Sequence, residues 1–229
     1  FAPPYLVNSP VHITVHGGAD NDELDARTNP LIENGDPSAT RHVLYGDGGN
    51  DTLRGSIDDD GFFGGDGNDT IFGGGGNDNL SGGPGDDVLR GESGDDWLDG
   101  NEGKDQLFGG PDDDYLFGTT KDTHGAEFDQ DSLSGGKGSD TYHVLVGRTD
   151  QIDTITEVEN EGTFDQLFLF TSGDVEVDLS GTSTLVQTRT SSNPAALLSG
   201  SGTELEGLFF GGVGAHKITG NDHDNVIET

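Results

Sequence analysis

The residues of this chain best suited to chemistry are aspartates set nine apart. Between Gly46 and Phe117 they fall at Asp51, Asp60, Asp69, Asp78, Asp87, Asp96, Asp105 and Asp114, and Asp22, Asp131 and Asp140 take the same place in outlying copies. Each closes a glycine-rich turn, cleanest in Gly64-Gly65-Asp66-Gly67-Asn68-Asp69, Gly73-Gly74-Gly75-Gly76-Asn77-Asp78 and Gly82-Gly83-Pro84-Gly85-Asp86-Asp87. Glycine permits positive φ and a tight curl, which turns several carbonyl oxygens toward one point. The aspartate adds a hard anionic oxygen at the end of the curl. Carbonyls plus one carboxylate per turn suit calcium, which takes about six to eight oxygen ligands at flexible geometry. Magnesium fits poorly because it holds a tight octahedron and keeps its waters. Zinc is disfavoured by the absence of Cys and the scatter of the His residues. One turn offers too few ligands, so two turns must share an ion.

The elements that position these acids follow from the same period. Two residues after each aspartate stands an apolar residue: Leu53, Phe62, Ile71, Leu80, Leu89, Leu98, Leu107 and Leu116. Each repeat is therefore one acid-bearing turn followed by one short strand whose apolar residue supplies core. Val11–His16 alternates apolar and polar like a strand and runs into Gly17–Asp25, a copy with Asp20 where glycine normally stands. Residues 26–36 read as an inserted loop, and His42–Tyr45 as a strand before the regular array. A second excursion, 118–130, lengthens one turn by eight residues before Asp131-Ser132-Leu133-Ser134 re-enters phase. A solenoid tolerates such insertions on its loop face.

One further copy, Gly135–His143, ends the regular region. Beyond it glycine thins, and Asp165–Phe170, Val175–Leu179 and Leu185–Arg189 alternate like longer antiparallel or flanking strands. Ser191–Gly202 reads as a linker. Ile218 and Ile227, nine apart, with Gly220 and Asn225 in phase, restart the repeat near the end. The expected organisation is a capping segment over 1–45, a repeat array over 46–143 and a β-rich flank over 144–229. The chain begins at Phe1 and contains no Met, so it is expected to be a processed product or a slice of a longer array.

Composition alone argues for disorder. Leu, Ile, Val and Phe make up 53 of 229 residues, and 44 acids against 10 bases give a formal charge of -34. Self-repulsion on that scale opposes compaction, and the core supply is thin. The repeat phase overrules this only if cations neutralise the turns, so the metal-free chain is expected to be largely unfolded and the loaded chain folded. Nucleic acid and anionic lipid both need basic stripes and are excluded as partners. No apolar run is long enough for a membrane span, and no signal peptide of the Sec type is visible. Calcium takes over the stapling role that disulfides play in small extracellular domains.

The array resembles the RTX, or haemolysin-type, calcium-binding repeats, whose consensus is Gly-Gly-x-Gly-x-Asp-x-apolar-x. The resemblance is strong over Gly17–Asp25 and Gly46–His143 and weak at the C-terminal restart. It implies an all-β fold, a parallel β-roll solenoid with two nonapeptides per turn, followed here by the β-rich flank. It also implies that each ion sits between turns eighteen residues apart. The ligands would be carbonyls from the second and fourth positions of one turn and the first and third of the next, with both sixth-position carboxylates. One site would use Gly65, Gly67 and Asp69 with Gly82, Pro84 and Asp87. On the opposite edge Gly74, Gly76 and Asp78 would join Gly91, Ser93 and Asp96.

Extended along the array, the candidate metal residues are Asp22; Gly46, Asp47, Gly48, Gly49 and Asp51; Asp60; Gly64, Gly65, Asp66, Gly67 and Asp69; and Gly73, Gly74, Gly75, Gly76 and Asp78. They continue as Gly82, Gly83, Pro84, Gly85 and Asp87; Gly91, Ser93, Gly94 and Asp96; and Gly100, Glu102, Gly103 and Asp105. The last are Gly109, Pro111, Asp114, Asp131, Gly135, Lys137 and Asp140. The uninterrupted array offers six pairs of turns, and two more arise if Asp131 stacks on Asp105 and Asp140 on Asp114, so about six to eight calcium ions are expected. The turns Gly55–Asp60 and Gly109–Asp114 lack glycines of the consensus and are expected to be weaker or rearranged rather than absent. At a dissociation constant of ~10⁻⁴ M and ~10⁻² M free calcium each site contributes about 2.7 kcal/mol, and six contribute on the order of 16 kcal/mol. That matches the stability of an ordinary domain.

Other residues read more plainly. His12 and His16 have packing or surface roles, and Trp97 falls at an outward position. No His-Glu-x-x-His or Gly-x-Ser-x-Gly motif is present, and calcium would occupy the carboxylate pairs a glycosidase needs. A non-enzyme is expected. The resemblance implies a segment of a secreted or cell-surface protein of the type I secretion kind that folds on meeting extracellular calcium. The alternatives are an adhesion or assembly module binding polysaccharide, a surface protein or a second copy, and an accessory domain of a larger RTX enzyme or toxin.

Overall fold

The computed structural model describes residues 12–27, 41–118, 131–146, 154–155, 165–171, 175–178, 185–188, 196–199, 205–212, 216–219 and 226–228. The excursion 118–130 lies outside these residues beyond Gly118, and the excursion 26–36 beyond Arg27. Among the described residues all regular structure is strand. One long sheet holds His12–Gly18 (β1), Arg41–Gly48 (β3), Gly61–Asp66 (β5), Asn79–Pro84 (β7), Trp97–Glu102 (β9), Tyr115–Phe117 (β11), Thr141–Val146 (β13), Asp165–Thr171 (β15), Leu205–Gly212 (β19) and Val226–Glu228 (β21), in that order. A second holds Glu23–Asp25 (β2), Thr52–Arg54 (β4), Thr70–Gly75 (β6), Val88–Ser93 (β8), Gln106–Pro111 (β10), Ser132–Lys137 (β12) and Thr154–Ile155 (β14). Val175–Asp178 (β16), Leu185–Thr188 (β17), Ala196–Ser199 (β18) and His216–Thr219 (β20) form a third, smaller sheet.

Through the array the chain alternates between the two long sheets, one strand in each, and every pairing within them is parallel. This is a parallel β-roll with two nonapeptides per coil. The register repeats at eighteen residues: Phe62 lies opposite Leu80, and Leu80 opposite Leu98. In the second sheet Leu53 lies opposite Ile71, and Ile71 opposite Leu89. Period-two alternation along each short strand turns the eighth-position residue inward. Leu53, Phe62, Ile71, Leu80, Leu89, Leu98, Leu107 and Leu116 are all 0% exposed and join one core cluster. The register continues across residues 119–130, with Leu107 opposite Leu133 and Leu116 opposite Tyr142.

Two local readings are corrected. Of the two readings left open for Asp165–Phe170, antiparallel or flanking, the antiparallel one fails: Asp165–Thr171 pairs parallel with β13 and β19 and extends the first roll sheet. Within the stretch read as a linker, Ala196–Ser199 is a strand antiparallel to β17. A composition dominated by Ser, Gly and Pro hid a short apolar run there. At the C-terminal restart Ile227 lies opposite Leu208 in the roll sheet, whereas Ile218 lies opposite Val177 in the third sheet.

Candidate metal centre

Stacking turns eighteen residues apart builds two acidic edges. One carries Asp22, Asp51, Asp69, Asp87, Asp105 and Asp131, and the other His42, Asp60, Asp78, Asp96, Asp114 and Asp140. Along each edge the backbone N–H of one residue donates to Oδ1 of the next aspartate, at 2.7 Å for Asp51 to Asp69 and for Asp60 to Asp78. Across the insertion the same bond joins Asp105 to Asp131 and Asp114 to Asp140 at 2.9 Å. Asp22 caps the start of one edge by donating to Asp51 at 2.7 Å. His42 heads the other, and sequence reasoning missed it, although its place eighteen residues before Asp60 was a usable signal.

From Asp51 to Asp140 the aspartates of both edges are almost wholly buried. With Oδ1 used by the preceding turn, Oδ2 of Asp51, Asp69, Asp78, Asp87, Asp96 and Asp114 is buried with no hydrogen-bond partner among the described residues. An unsatisfied buried anionic oxygen is strongly unfavourable. Each of these oxygens folds back over the first-position glycine of its own turn. At Gly64 a Cβ would run into Asp69 Oδ2 and the carbonyl of Gly82. Gly46, Gly73, Gly82, Gly91, Gly100, Gly109 and Gly135 hold the same relation to their own aspartates.

The candidate carbonyls come from the rest of the turn. Third-position residues Gly48, Asp66, Gly75, Pro84, Ser93, Glu102, Pro111 and Lys137 each end a strand. The carbonyls of Asp66, Pro84 and Glu102 accept the N–H of Gly49, Gly67 and Gly85 at 2.8, 2.9 and 2.7 Å. A carbonyl has two lone pairs, so one remains on each. The second and fourth positions curl through positive φ, as at Gly65, Gly67, Gly74, Gly76, Gly83, Gly85, Gly94 and Gly103. Gly67, at φ +131°, is pressed against the carbonyl of Gly49, so only glycine fits. Asp47, Glu92, Asn101 and Asp112 take the left-handed region without being glycine, at φ of 72°, 77°, 74° and 83°. The Gly109–Asp114 turn thus keeps its curl through Asp112.

The Gly55–Asp60 turn does not. Neither Ser56 nor Asp58 has positive φ. Instead the N–H and Oγ–H of Ser56 both donate to Asp60 Oδ2 at 2.9 Å. On the other oxygen, Oδ1, Asp60 accepts the His42 N–H at 2.7 Å and lies 3.0 Å from His42 Nδ1. A carboxylate only accepts, so Nδ1 carries the proton. The Ser56 carbonyl accepts the N–H of Gly75 at 3.0 Å.

Burial pushes the Asp78, Asp87, Asp96 and Asp114 carboxyls up to about 8, 7, 7 and 9 from an ordinary 3.8, and nearby carboxylates add to the rise. Asp69 and Asp140 are pushed to about 6, again mainly by burial. The N–H bond from the preceding turn works against this in every case and does not overcome it. A row of buried carboxylates of this kind needs protons or cations to be stable. Among the described residues no three His, Asp or Glu side chains converge on a point, so an ion held here draws most of its ligands from the backbone. That donor set of carbonyls and single carboxylates fits calcium.

A second ladder runs beside the first and was not legible in the consensus, where the fifth position is variable. Asn50 Oδ1 accepts the N–H of Asn68 at 3.0 Å, Asn68 Oδ1 that of Asp86 at 3.1 Å, and Asp86 Oδ1 that of Lys104 at 3.0 Å. The opposite edge repeats the pattern through Asp59, Asn77, Asp95 and Asp113. Fifth-position side chains reach up to the following turn, and sixth-position side chains reach down to the preceding one. The signal was the recurrence of Asn and Asp at the fifth position, the short side chains that bond nearby backbone.

No curated protein matches the chain. Residues 45–80, 58–89 and 81–116 each match the family model of the RTX calcium-binding nonapeptide repeat. Together with the parallel roll and its aligned carboxylates, this places residues 45–116 in the RTX calcium-binding nonapeptide repeat family.

Proposed function

We propose that this calcium-binding roll is a folding switch: a segment of a secreted or cell-surface protein, of the type I secretion kind, that is unfolded at low calcium and folds outside the cell. The single observation that carries this reading is the row of buried Oδ2 atoms with no partner among the described residues. A divalent cation would supply the missing partner and cancel the charge that opposes compaction. The pairs Asp51/Asp69, Asp69/Asp87, Asp87/Asp105, Asp78/Asp96 and Asp96/Asp114 would hold ions through these carboxylates and the turn carbonyls. Asp105/Asp131 and Asp114/Asp140 extend the two edges. Asp60/Asp78 is the exception, because Ser56 already fills the Asp60 oxygen with two donors. The role is structural, and no catalytic step is assigned to it.

Circular dichroism across a calcium titration tests the reading. A coil spectrum in chelator that converts cooperatively to β structure at millimolar calcium is expected, with magnesium failing to substitute. A spectrum unchanged between chelator and millimolar calcium would overturn it.

A further inference from the structure

The outward face of the first roll sheet carries a ladder of rings. His16, Tyr45, Phe63, Ser81, Asp99, Phe117, His143 and Phe168 occupy one register column. His16 stacks on Tyr45 at 4.5 Å, and Tyr45 on Phe63 at 4.9 Å, with planes within 9°. A second stack runs from Trp97 to Phe117 at 4.4 Å, then to His143 at 4.2 Å and Phe168 at 4.7 Å. Trp97 comes from the neighbouring column, but its stacking places the indole over the strand that carries Asp99. Between Phe63 on β5 and Trp97 on β9 lies only β7, whose outward residues are Asn79 and Ser81. The ladder is missing one rung.

The gap has the size of a ring. Two strand spacings, roughly 9.6 Å, separate the strands that carry the flanking rings, close to two of the ring-to-ring steps of 4.2–4.9 Å observed in the stacks themselves. Phe63 and Trp97, the rings that border it, are 41% and 42% exposed. The floor is polar: Ser81 Oγ accepts from Asn101 Nδ2 at 3.0 Å, and the same amide is held by the Asp99 carbonyl at 3.2 Å. We infer that this gap is a binding slot for one pyranose ring of an uncharged glycan, clamped between Phe63 and Trp97 with its hydroxyls over Ser81, Asn79 and Asn101.

The occupant follows from the walls. Two exposed aromatic rings flanking the gap favour a flat ring with apolar C–H faces, and a floor of hydroxyl and amide groups favours a ring rimmed with hydroxyls. An aromatic side chain would satisfy the walls but offer the hydroxyl and amide groups of the floor no partner in place of water. With 44 acids against 10 bases, the chain repels uronates and sulfated sugars. The inference rests on the calcium reading only in that the roll must be folded.

Trp97 is the chain's single tryptophan, so its fluorescence reports on the slot directly. The calcium-loaded chain, its fold checked by circular dichroism in every sample, is titrated with cellohexaose, maltohexaose and xylohexaose, and with a uronate oligomer as the charged comparison. A saturable emission change with at least one neutral oligomer is expected, and calorimetry with Phe63→Ala is expected to show roughly tenfold weaker binding. Ser81→Tyr supplies the missing rung and is expected to abolish binding without disturbing the roll. Tyr115→Ala, on the far side of Trp97, is expected to bind like the parent. Silence toward all three neutral oligomers by a folded roll, tighter binding of the uronate oligomer, or undiminished binding by Ser81→Tyr would each overturn the inference. A chain that fails to fold in calcium shows itself in the dichroism and counts against the folding reading instead.

Discussion

Asp60 and Asp69 stand in adjacent turns, at the same phase and equally buried, yet they solve the same problem in different ways. Both use Oδ1 to accept the N–H of the residue eighteen before. Asp69 leaves Oδ2 buried with no partner among the described residues, over a glycine that makes room for it. Asp60 fills Oδ2 with two donors from Ser56 and faces His42 with Oδ1. One turn is closed by the chain's own hydrogen bonds, and the other requires something from outside. On the proposed reading, the requirement for calcium is a property of individual turns: Ser56, second in its hexad, closes the Asp60 turn, and Gly65, second in the next, leaves the Asp69 turn open.

The largest effect on the calcium midpoint is expected from removing charge at an open turn. Asp87→Asn keeps an oxygen to cap Asp69 but takes a carboxylate from two candidate ion positions, and is expected to raise the calcium midpoint of folding by roughly tenfold, about 1.4 kcal/mol, measured by circular dichroism. Asp60→Asn removes charge from a closed turn. It is expected to cost about 1–3 kcal/mol in lost charged hydrogen bonds, seen as a lower melting temperature, while leaving calcium stoichiometry by calorimetry unchanged. An equal loss of ions from the two variants would erase the distinction between the turns.

Acidity probes the same contrast without calcium. The folded carboxyls of Asp78, Asp87, Asp96 and Asp114 lie at about 8, 7, 7 and 9 against an ordinary 3.8. The folded state thus binds these protons more tightly than the unfolded chain. Their contribution to stability is fully present below 3.8 and is lost as pH rises through the folded values. In calcium-free solution the β signal is expected to grow as pH falls from 9 toward 5. In saturating calcium the trend is expected to vanish or reverse, because protons then compete with the ion. The smallest effect is expected from Ser56→Gly, which opens the closed turn. It should cost about 1 kcal/mol in low calcium and recruit an additional ion at high calcium, read by titration calorimetry.

Much of this was legible because the roll is periodic. Leu80 and Leu98 announce the core by their spacing alone, and Asp69 and Asp87 announce the edge. The register of Leu133 against Leu107 follows from the same eighteen-residue step once eight inserted residues are set aside. What the pattern did not carry was departure from it. His42 occupies an aspartate's place but shares neither its charge nor its turn sequence, so it read as part of a strand. Ser56 read as a missing glycine, although its hydroxyl is the group that satisfies Asp60. The fifth-position ladder stayed hidden because Asn50, Asp59 and Asn68 differ in charge while doing the same thing with one side-chain oxygen. Pairing partners in the flank, such as β15 with β19 or β16 with β20, are non-local, and alternation along one strand cannot name its neighbour.

The central claim is that calcium goes where the chain leaves a buried carboxylate oxygen unfilled. A crystal structure of the calcium-loaded chain, with ions placed by anomalous scattering, tests it most directly. The expected result is an ion against Oδ2 of Asp69 and Asp87 on one edge and of Asp96 on the other, with Asp60 still bonded to Ser56 and no ion beside it. An ion seated on Asp60, or an Asp69–Asp87 pair without one, would contradict the account.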